Sequence, residues 1–397
     1  MSGERTHAVT AADAVIVAAR RSPIATRGRA LAHLTVDRLA APVIRAALDD
    51  GAAALGASAS VADVVLGNCM GPGGNPARVA ALAAGLGDAV PGSTVDRQCG
   101  SGLAAVLDAA TAIRAGDDRA RVAGGVESAS TAPVRTLHGV AYDRAPFAPE
   151  GFPDPDMTRA AEALAVADGI SRERQDAYAL RSQRRGGAAA AAGRFAAELA
   201  PLDASARDGA HSSRETLFAR DDALTSADRP LSRFRPLFPG GSVTAGNSCR
   251  VSDGAAAVLV VPGSATGGMP GLVLRSHAIV GCDPALPGVG AAPAVLAALG
   301  ASGRAMGDVA AIELVEAFAA QTLAVLGRVG VADDDGRVCA DGGALAFGHP
   351  WGASAAVAVV RLFSRLVRGG APAGTLGLAT ASVGGGMGVA ALFEVVR

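Results

Sequence analysis

Residues 99–125 read CGSGLAAVLDAATAIRAGDDRARVAGG: a cysteine in a glycine-rich turn, a helical stretch of small residues from Ser101 to Ala115, then a short strand, Ala120 to Ala123, running into Gly124-Gly125. The same order returns near the other end of the chain. There Gly348-His349-Pro350-Trp351-Gly352 opens a second small-residue helix, Ala353 to Arg368, followed by a strand, Thr375 to Thr380, and the turn Gly384-Gly385-Gly386. A turn, helix, strand and glycine turn that occur twice predict two halves of similar topology. Further out, the strands Ala14 to Ala18 and Val61 to Leu66 enclose an amphipathic helix, Asp37 to Asp49, and this alternation predicts a parallel α/β sheet.

Composition supports close packing. Half of the 397 residues are hydrophobic but only 3% are aromatic, and 52 are glycine, so helices and strands can approach one another closely. A chain of this length holds roughly two to three units of about 150 residues, and its abundant apolar residues at a net charge of −1 exclude disorder. With 36 basic against 37 acidic residues and no long run of one sign, no nucleic-acid or membrane-surface partner is implied, which leaves a small-molecule substrate. Two charge-free stretches, Gly254 to Leu274 and Gly374 to Phe393, are about as long as a membrane span. Prolines 262 and 270 interrupt the first and Gly384-Gly385-Gly386 the second, so both read as buried strand and turn. Met1 to Ala12 lacks a basic region followed by an apolar core, and a soluble, cytoplasmic protein is expected. The five cysteines are odd in number and form no C-x-x-C pair, which argues against a disulfide scaffold or a metal site.

From about Ser128 to Thr244 the sequence changes character. Scattered prolines and more charge surround one clear helix, Arg172 to Arg194, with Ser171 placed as its N-cap. This segment reads as an insertion over one face of the sheet layers, the kind of place where a rigid α/β scaffold holds substrate.

Cys99 stands directly ahead of a predicted helix. The partial positive charge and free N–H groups of a helix start lower a thiol pKa, so the position predicts a thiolate nucleophile; the alternative is a buried structural thiol. His349 precedes a helix at the equivalent place in the second half. If the halves pack about a pseudo-twofold axis, the two helix starts converge and bring His349 to Cys99, an arrangement suited to activating a thiol. Otherwise His349 is a satisfied core histidine. The turn from Gly384 has neither P-loop spacing nor a G-x-G-x-x-G pattern, and reads instead as backbone N–H groups lining a cavity.

Together these residues become specific. Arg97-Gln98-Cys99-Gly100-Ser101-Gly102-Leu103, Gly124-Gly125-Val126-Glu127-Ser128, Gly246-Asn247-Ser248 with Ser252-Asp253-Gly254-Ala255-Ala256, Glu316-Ala317-Phe318-Ala319, Gly348-His349-Pro350 and Gly384-Gly385-Gly386 follow the order seen in thiolases. The whole chain resembles that family of acyl-CoA C-acyltransferases. The resemblance implies a five-layer αβαβα fold of two similar halves, residues 1–270 and 271–397, with a loop domain of about 128–244 in the first. It implies a homodimer or homotetramer with no bound cofactor, whose substrate is an acyl-CoA or acyl-carrier-protein thioester. Cys99, activated by His349, would take the acyl group, and the N–H groups of Cys99 and Gly384 would hold the acyl-enzyme oxyanion. The enolate of a second thioester would then attack, its oxygen held in part by His349, or the reaction would run backwards as thiolysis. By the same match Met157, Ser248, Cys249, Arg250, Val315 and Phe318 fall on the substrate and CoA side.

Departures from the family pattern cluster in one half-reaction. The second catalytic cysteine of the family, two residues before the first glycine of the C-terminal turn, is Ser382 here. A serine hydroxyl is a far weaker acid, and losing such a base typically costs about 10²–10⁴-fold. The family's Asn-Glu-Ala-Phe is Val315-Glu316-Ala317-Phe318, and one missing oxyanion donor costs about 10²–10³-fold. Cys249 replaces a common serine, Arg250 a small or neutral residue, and Asp156-Met157-Thr158 a frequent His-Met-Gly. Near Thr225, after Asp221-Asp222, the basic residue that often meets the adenine end of CoA is missing, and Ser130 to Pro155 is short. These changes weaken condensation and spare acyl transfer. Claisen-type C–C chemistry with a modified second half-reaction is therefore the leading expectation. Acyl transfer to an amine or hydroxyl, condensation with a malonyl-type extender, and a non-catalytic partner of an active relative stand beside it.

Overall fold

Glycine sets how closely the two halves meet. A Cβ on Gly102 would stand 2.8 Å from the Ala356 backbone nitrogen, one on Gly125 2.0 Å from the Gly352 carbonyl oxygen, and one on Gly67 2.5 Å from the Ser101 carbonyl carbon. Helix starts and strand ends therefore touch backbone to backbone, which no larger residue would allow.

The computed structural model describes residues 9–56, 59–142, 144–203, 217–224 and 230–397. In chain order the first elements are β1 (Ala14–Arg21), β2 (Ala25–Thr26), α1 (Val36–Leu55), β3 (Val61–Gly67), α2 (Pro76–Ala83), β4 (Gly92–Val95), α3 (Ser101–Arg114) and β5 (Ala120–Glu127). The insertion carries a hairpin, β6 (Arg135–Leu137) and β7 (Val140–Tyr142), then α4 (Met157–Ala167), α5 (Arg172–Ala191) and the pair β8 (Leu202–Asp203) and β9 (Leu217–Phe218). There follow β10 (Ser252–Pro262), β11 (Gly271–Gly281), α6 (Ala291–Ser302), β12 (Val309–Leu314), α7 (Ala319–Arg328), α8 (Ala344–Phe347), α9 (Trp351–Leu362), β13 (Leu376–Val383) and β14 (Met387–Val396).

The repeat is visible in the strand pairing. In the first half β1 runs antiparallel to β10, β10 antiparallel to β5, and β5 parallel to β3. In the second, β11 runs antiparallel to β14, β14 antiparallel to β13, and β13 parallel to β12. The two sets join where Val15 and Ile16 of β1 pair with Val273 and Leu272 of β11. The sheet is thus mixed rather than parallel as the alternation predicted. Strands β13 and β14 are joined by a tight turn, which only an antiparallel pair can use, and β5 and β10 keep the same pairing across the long insertion.

Helices α1 and α6 cover the outer faces, α1 on β1 and β10, α6 on β11 and β14. Between the sheets lie α3 and α9, packed on each other. Gly352 to Leu362 of α9 are all buried, as a helix enclosed on every side requires. These are the five layers αβαβα. Several elements differ in extent from expectation: β1 runs on to Arg21, α1 to Leu55 and β5 to Glu127; α9 ends at Leu362 and continues as a π-helical turn, Phe363–Arg368; β13 reaches Val383, so Ser382 lies in a strand; and the insertion holds α4 in addition to α5, which stops at Ala191. Ser171 caps α5, its Oγ accepting from the Arg174 N–H at 3.2 Å.

A buried ion network fastens the insertion to both halves. Arg21 of β1 pairs with Glu198 and Asp221 at 2.7 Å each, while Arg361 of α9 pairs with Glu198 and Asp341. The charge-free stretches prove to be β10 with the start of β11, and β13 with most of β14. Among the described residues no helix is long and apolar enough to cross a membrane, and no His, Cys, Asp and Glu group could hold a metal. Met1 to Ala8 and Thr225 lie outside the described residues.

Candidate functional site

Cys99 occupies a 3₁₀ turn, Gln98–Gly100, immediately before α3. Ser101 shapes this turn, its hydroxyl accepting from the Arg97 N–H and donating to the Gln98 carbonyl, both at 2.7 Å. Gln98 is held at φ 44°, a left-handed conformation that costs a non-glycine residue of order 1–3 kcal/mol. His349 stands at the matching place before α9, and its N–H donates to the Arg250 carbonyl at 2.8 Å. Its Nε2 lies 3.3 Å from Cys99 Sγ and its Nδ1 2.6 Å from Ser354 Oγ. The convergence of the two helix starts predicted from the repeat is therefore present.

The electrostatics differ from expectation. Burial pushes the Cys99 thiol up to about 11, although the N–H groups of Cys99 and Gly384, both aimed at the sulfur, work the other way. Burial alone takes His349 down to about 4. The resting pair is a neutral thiol beside a neutral imidazole, not the thiolate expected from the helix start. Desolvation of the charge outweighs the dipole. The same N–H groups are placed to hold an oxygen charge that develops beside the sulfur.

Ser382 is drawn elsewhere. Its hydroxyl donates to the Gly288 carbonyl at 2.7 Å and accepts from the Ala291 N–H at 3.1 Å and from Gln321 Nε2 at 3.4 Å, stitching β13 to the start of α6. Val315 is buried, its N–H donating to Thr380 O at 3.0 Å, and it lines a small cavity of about 20 Å³ with Ser354 and Phe347. Cys249 sits on a strip threaded between two loops: its N–H donates to Ala317 O at 2.9 Å, Ser248 bridges Phe318, and Val251 bridges His349. Burial raises the Cys249 thiol, and ionisation of Cys99 would raise it further. Arg250 is exposed at the edge of this strip. Met157 opens α4, whose helix packs against α7.

Residues 14–264 match the thiolase N-terminal domain and residues 270–395 the thiolase C-terminal domain. The chain belongs to the thiolase family. This thiolase is 38% identical to a putative acetyl-CoA C-acetyltransferase VraB of Staphylococcus aureus, over 96% of its length and 98% of the relative's. It is also 38% identical to a protein of the same name from Staphylococcus haemolyticus, over 97% and 99% of the two chains. The crystal structure of the Bacillus anthracis acetyl-CoA acetyltransferase superposes with a TM-score of 0.87 at 35% identity, covering 96% of this chain and 98% of that one.

Several residues of the thiolase site escaped sequence reading. Ser354, on the first turn of α9, holds the far nitrogen of His349. Phe147 of the insertion lies against the glycine turn, so close that a Cβ on Gly384 would stand 2.8 Å from its ring. Glu127 accepts from the N–H groups of Cys69, Met70 and Gly352 and from Asn68 Nδ2, which ties β5 to the start of α9; burial lifts its carboxyl to about 7. Glu316 is enclosed by Tyr178 and Ser182, whose hydroxyls donate to it at 2.8 and 2.6 Å. Position i+5 from a candidate histidine was the one available signal for Ser354. Phe147 carried none.

Proposed function

We propose that this thiolase is an acyl-CoA acyltransferase that forms an acyl-enzyme on Cys99 with His349 as base. The observation that carries the reading is the 3.3 Å contact between His349 Nε2 and Cys99 Sγ, with Gly384 N–H on the same sulfur. As Sγ attacks the thioester carbonyl, its proton passes to Nε2, so that charge appears only when the tetrahedral oxyanion is there to be held by the N–H groups of Cys99 and Gly384. Collapse expels the CoA thiolate, which takes the proton back from the imidazolium. Acetyl-CoA as donor is supported by the names of the relatives.

The second half-reaction is modified. In Claisen condensation a base must remove the α-proton of a second thioester. Ser382 cannot act so while its hydroxyl is spent on Gly288, Ala291 and Gln321, and Val315 has no side-chain donor to add. Transfer of the acyl group to an amine or hydroxyl needs no α-proton, and the commitment of Ser382 favours this second reading. We take the enzyme as cytoplasmic and as a homodimer or homotetramer. Support for assembly comes from the hairpin β6–β7, where Leu137 and Val140 are 64% and 71% exposed.

Intact mass after incubation with acyl-CoAs tests the first step. The chain contains no lysine, so internal amines do not compete for the acyl group. An adduct that disappears in Cys99→Ala is expected; no adduct with any thioester refutes the acyltransferase and leaves a non-catalytic partner subunit.

A further inference from the structure

We infer that the small cavity between α9 and the end of β12 binds one ordered water, through which Arg361 positions the imidazole of His349. The site itself stands apart from the function proposed above; its effect on acylation rests on that reading of Cys99 and His349. Ser354, Ala358 and Arg361 stand at i, i+4 and i+7 of α9 and so share one face of the helix. All three line the cavity, together with Glu313 of β12 and Val315 just beyond it, from the sheet packed against that helix. The volume, about 20 Å³, is room for one water, which needs about 10–15 Å³. Cys99 and His349 are not among the lining residues, and Ser354 meets the ring at Nδ1, so the cavity lies behind the imidazole, away from the thiol.

Polarity decides the ligand. Arg361 is 1% exposed; its Nη1 and Nη2 donate to Glu198 and Asp341, and its Nε is buried without a hydrogen-bond partner among the described residues. A buried donor left unpaired carries its full desolvation cost, so it calls for an acceptor. Ser354 Oγ lies 2.6 Å from His349 Nδ1 and donates its one proton to Pro350 O at 2.9 Å, which leaves it a second lone pair. Glu313 accepts from Arg365 Nη1 at 2.6 Å, and a carboxyl has acceptor capacity beyond one such bond. A water among these groups accepts from Arg361 Nε–H and donates to Ser354 Oγ and to Glu313. That makes three bonds, the usual number for a buried water. An anion would face the carboxylates of Glu198, Asp341 and Glu313 around one guanidinium, so the ligand is neutral. With both lone pairs engaged, the Ser354 hydroxyl cannot turn its proton to the ring. The water thereby ties the buried ion network to His349, keeping hydrogen on Nδ1 and the Nε2 lone pair towards Cys99.

Ala358→Val and Ala358→Thr bring side chains of the same shape into the water's position, one apolar and one with a hydroxyl that can accept from Arg361 and donate onward. The threonine variant should unfold at a higher denaturant concentration than the valine variant. It should also acylate Cys99 about tenfold faster at unchanged KM, the scale of one hydrogen bond. In a Ser354→Ala background that rate difference should vanish, which a purely structural role of the cavity would not bring about. A valine variant at least as stable as the threonine variant means a dry cavity and overturns the inference. Equal acylation rates, or a difference that survives Ser354→Ala, overturn the positioning role of Arg361. If no thioester acylates wild type, the acyltransferase reading fails by itself, and the denaturation comparison still judges the water. Should neither variant fold, a crystal structure of the wild type decides: one ordered water within about 3.2 Å of Arg361 Nε supports the site, and none overturns it.

Discussion

Ser354 Oγ lies 2.6 Å from His349 Nδ1 while donating its proton to the Pro350 carbonyl at 2.9 Å. A hydroxyl has one proton, so towards the ring it is an acceptor, and the ring must carry its hydrogen on Nδ1. The lone pair is then on Nε2, facing the Cys99 thiol. Replacement by alanine frees the tautomer and leaves Nδ1–H without a partner. Ser354→Ala should slow Cys99 acylation about tenfold or more, the scale of one hydrogen bond, with little change in KM. A rapid-quench time course of the mass adduct measures it, and Ser354→Thr should recover most of the rate.

The pH profile follows from burial. With His349 near 4 and Cys99 near 11, the thiol–imidazole pair persists across the neutral range. Acylation should therefore hold constant from about pH 9 down to about pH 5 and fall only as His349 is protonated, well below the 6.5 of an exposed histidine. Stability carries the same sign. Between 6.5 and 4 the unfolded chain binds a proton at His349 that the folded chain does not, so wild type should lose stability relative to His349→Asn as pH falls through that window. Chemical denaturation at several pH values gives the comparison.

The fold was legible because the repeat fixes it: glycines 102, 125 and 352 are small for contacts that occur once the two copies are stacked, and Cys99 and His349 head matching helices. What the sequence withheld was the sign of a balance. A helix start argues for thiolate, and only the depth of the site shows that desolvation wins at Cys99. Strand direction escaped for a related reason, since alternation of strand and helix describes the crossovers and is blind to how β10 and β14 return. Ser382 was recognised as a departure, but its partners Gly288, Ala291 and Gln321 lie 61 to 94 residues away, beyond any local pattern.

The ion network under the site is a stability element. Glu198 is fully buried between Arg21 and Arg361, and its loss would leave each guanidinium with a single carboxylate, Asp221 for Arg21 and Asp341 for Arg361. Glu198→Gln should cost about 1–3 kcal/mol, the scale of a weakened charge-assisted hydrogen bond in the core. Phe347, two residues before His349, lies with its ring 5.6 Å from the Arg21 guanidinium and edge-on to Phe195. Acylation in the folded fraction should therefore fall as well. Thermal unfolding and active-site titration separate the two effects.

Substitutions at Ser382 and Val315 distinguish a repurposed half-reaction from drift. Ser382→Ala removes the acceptor of the Ala291 N–H and should lower stability by about 1–3 kcal/mol, yet leave acylation of Cys99 in place, because that hydroxyl touches neither Cys99 nor His349. Ser382→Cys with Val315→Asn restores a thiol and an amide donor together. If the native enzyme passes its acyl group to another acceptor, this pair should create formation of a 3-ketoacyl-CoA from two acyl-CoAs where wild type shows almost none, followed by absorbance of the enolate–magnesium complex. Equal condensation rates in the two proteins would mean that both departures are neutral, and that the thiol of Cys249, whose ionisation is coupled to that of Cys99, is the next group to replace.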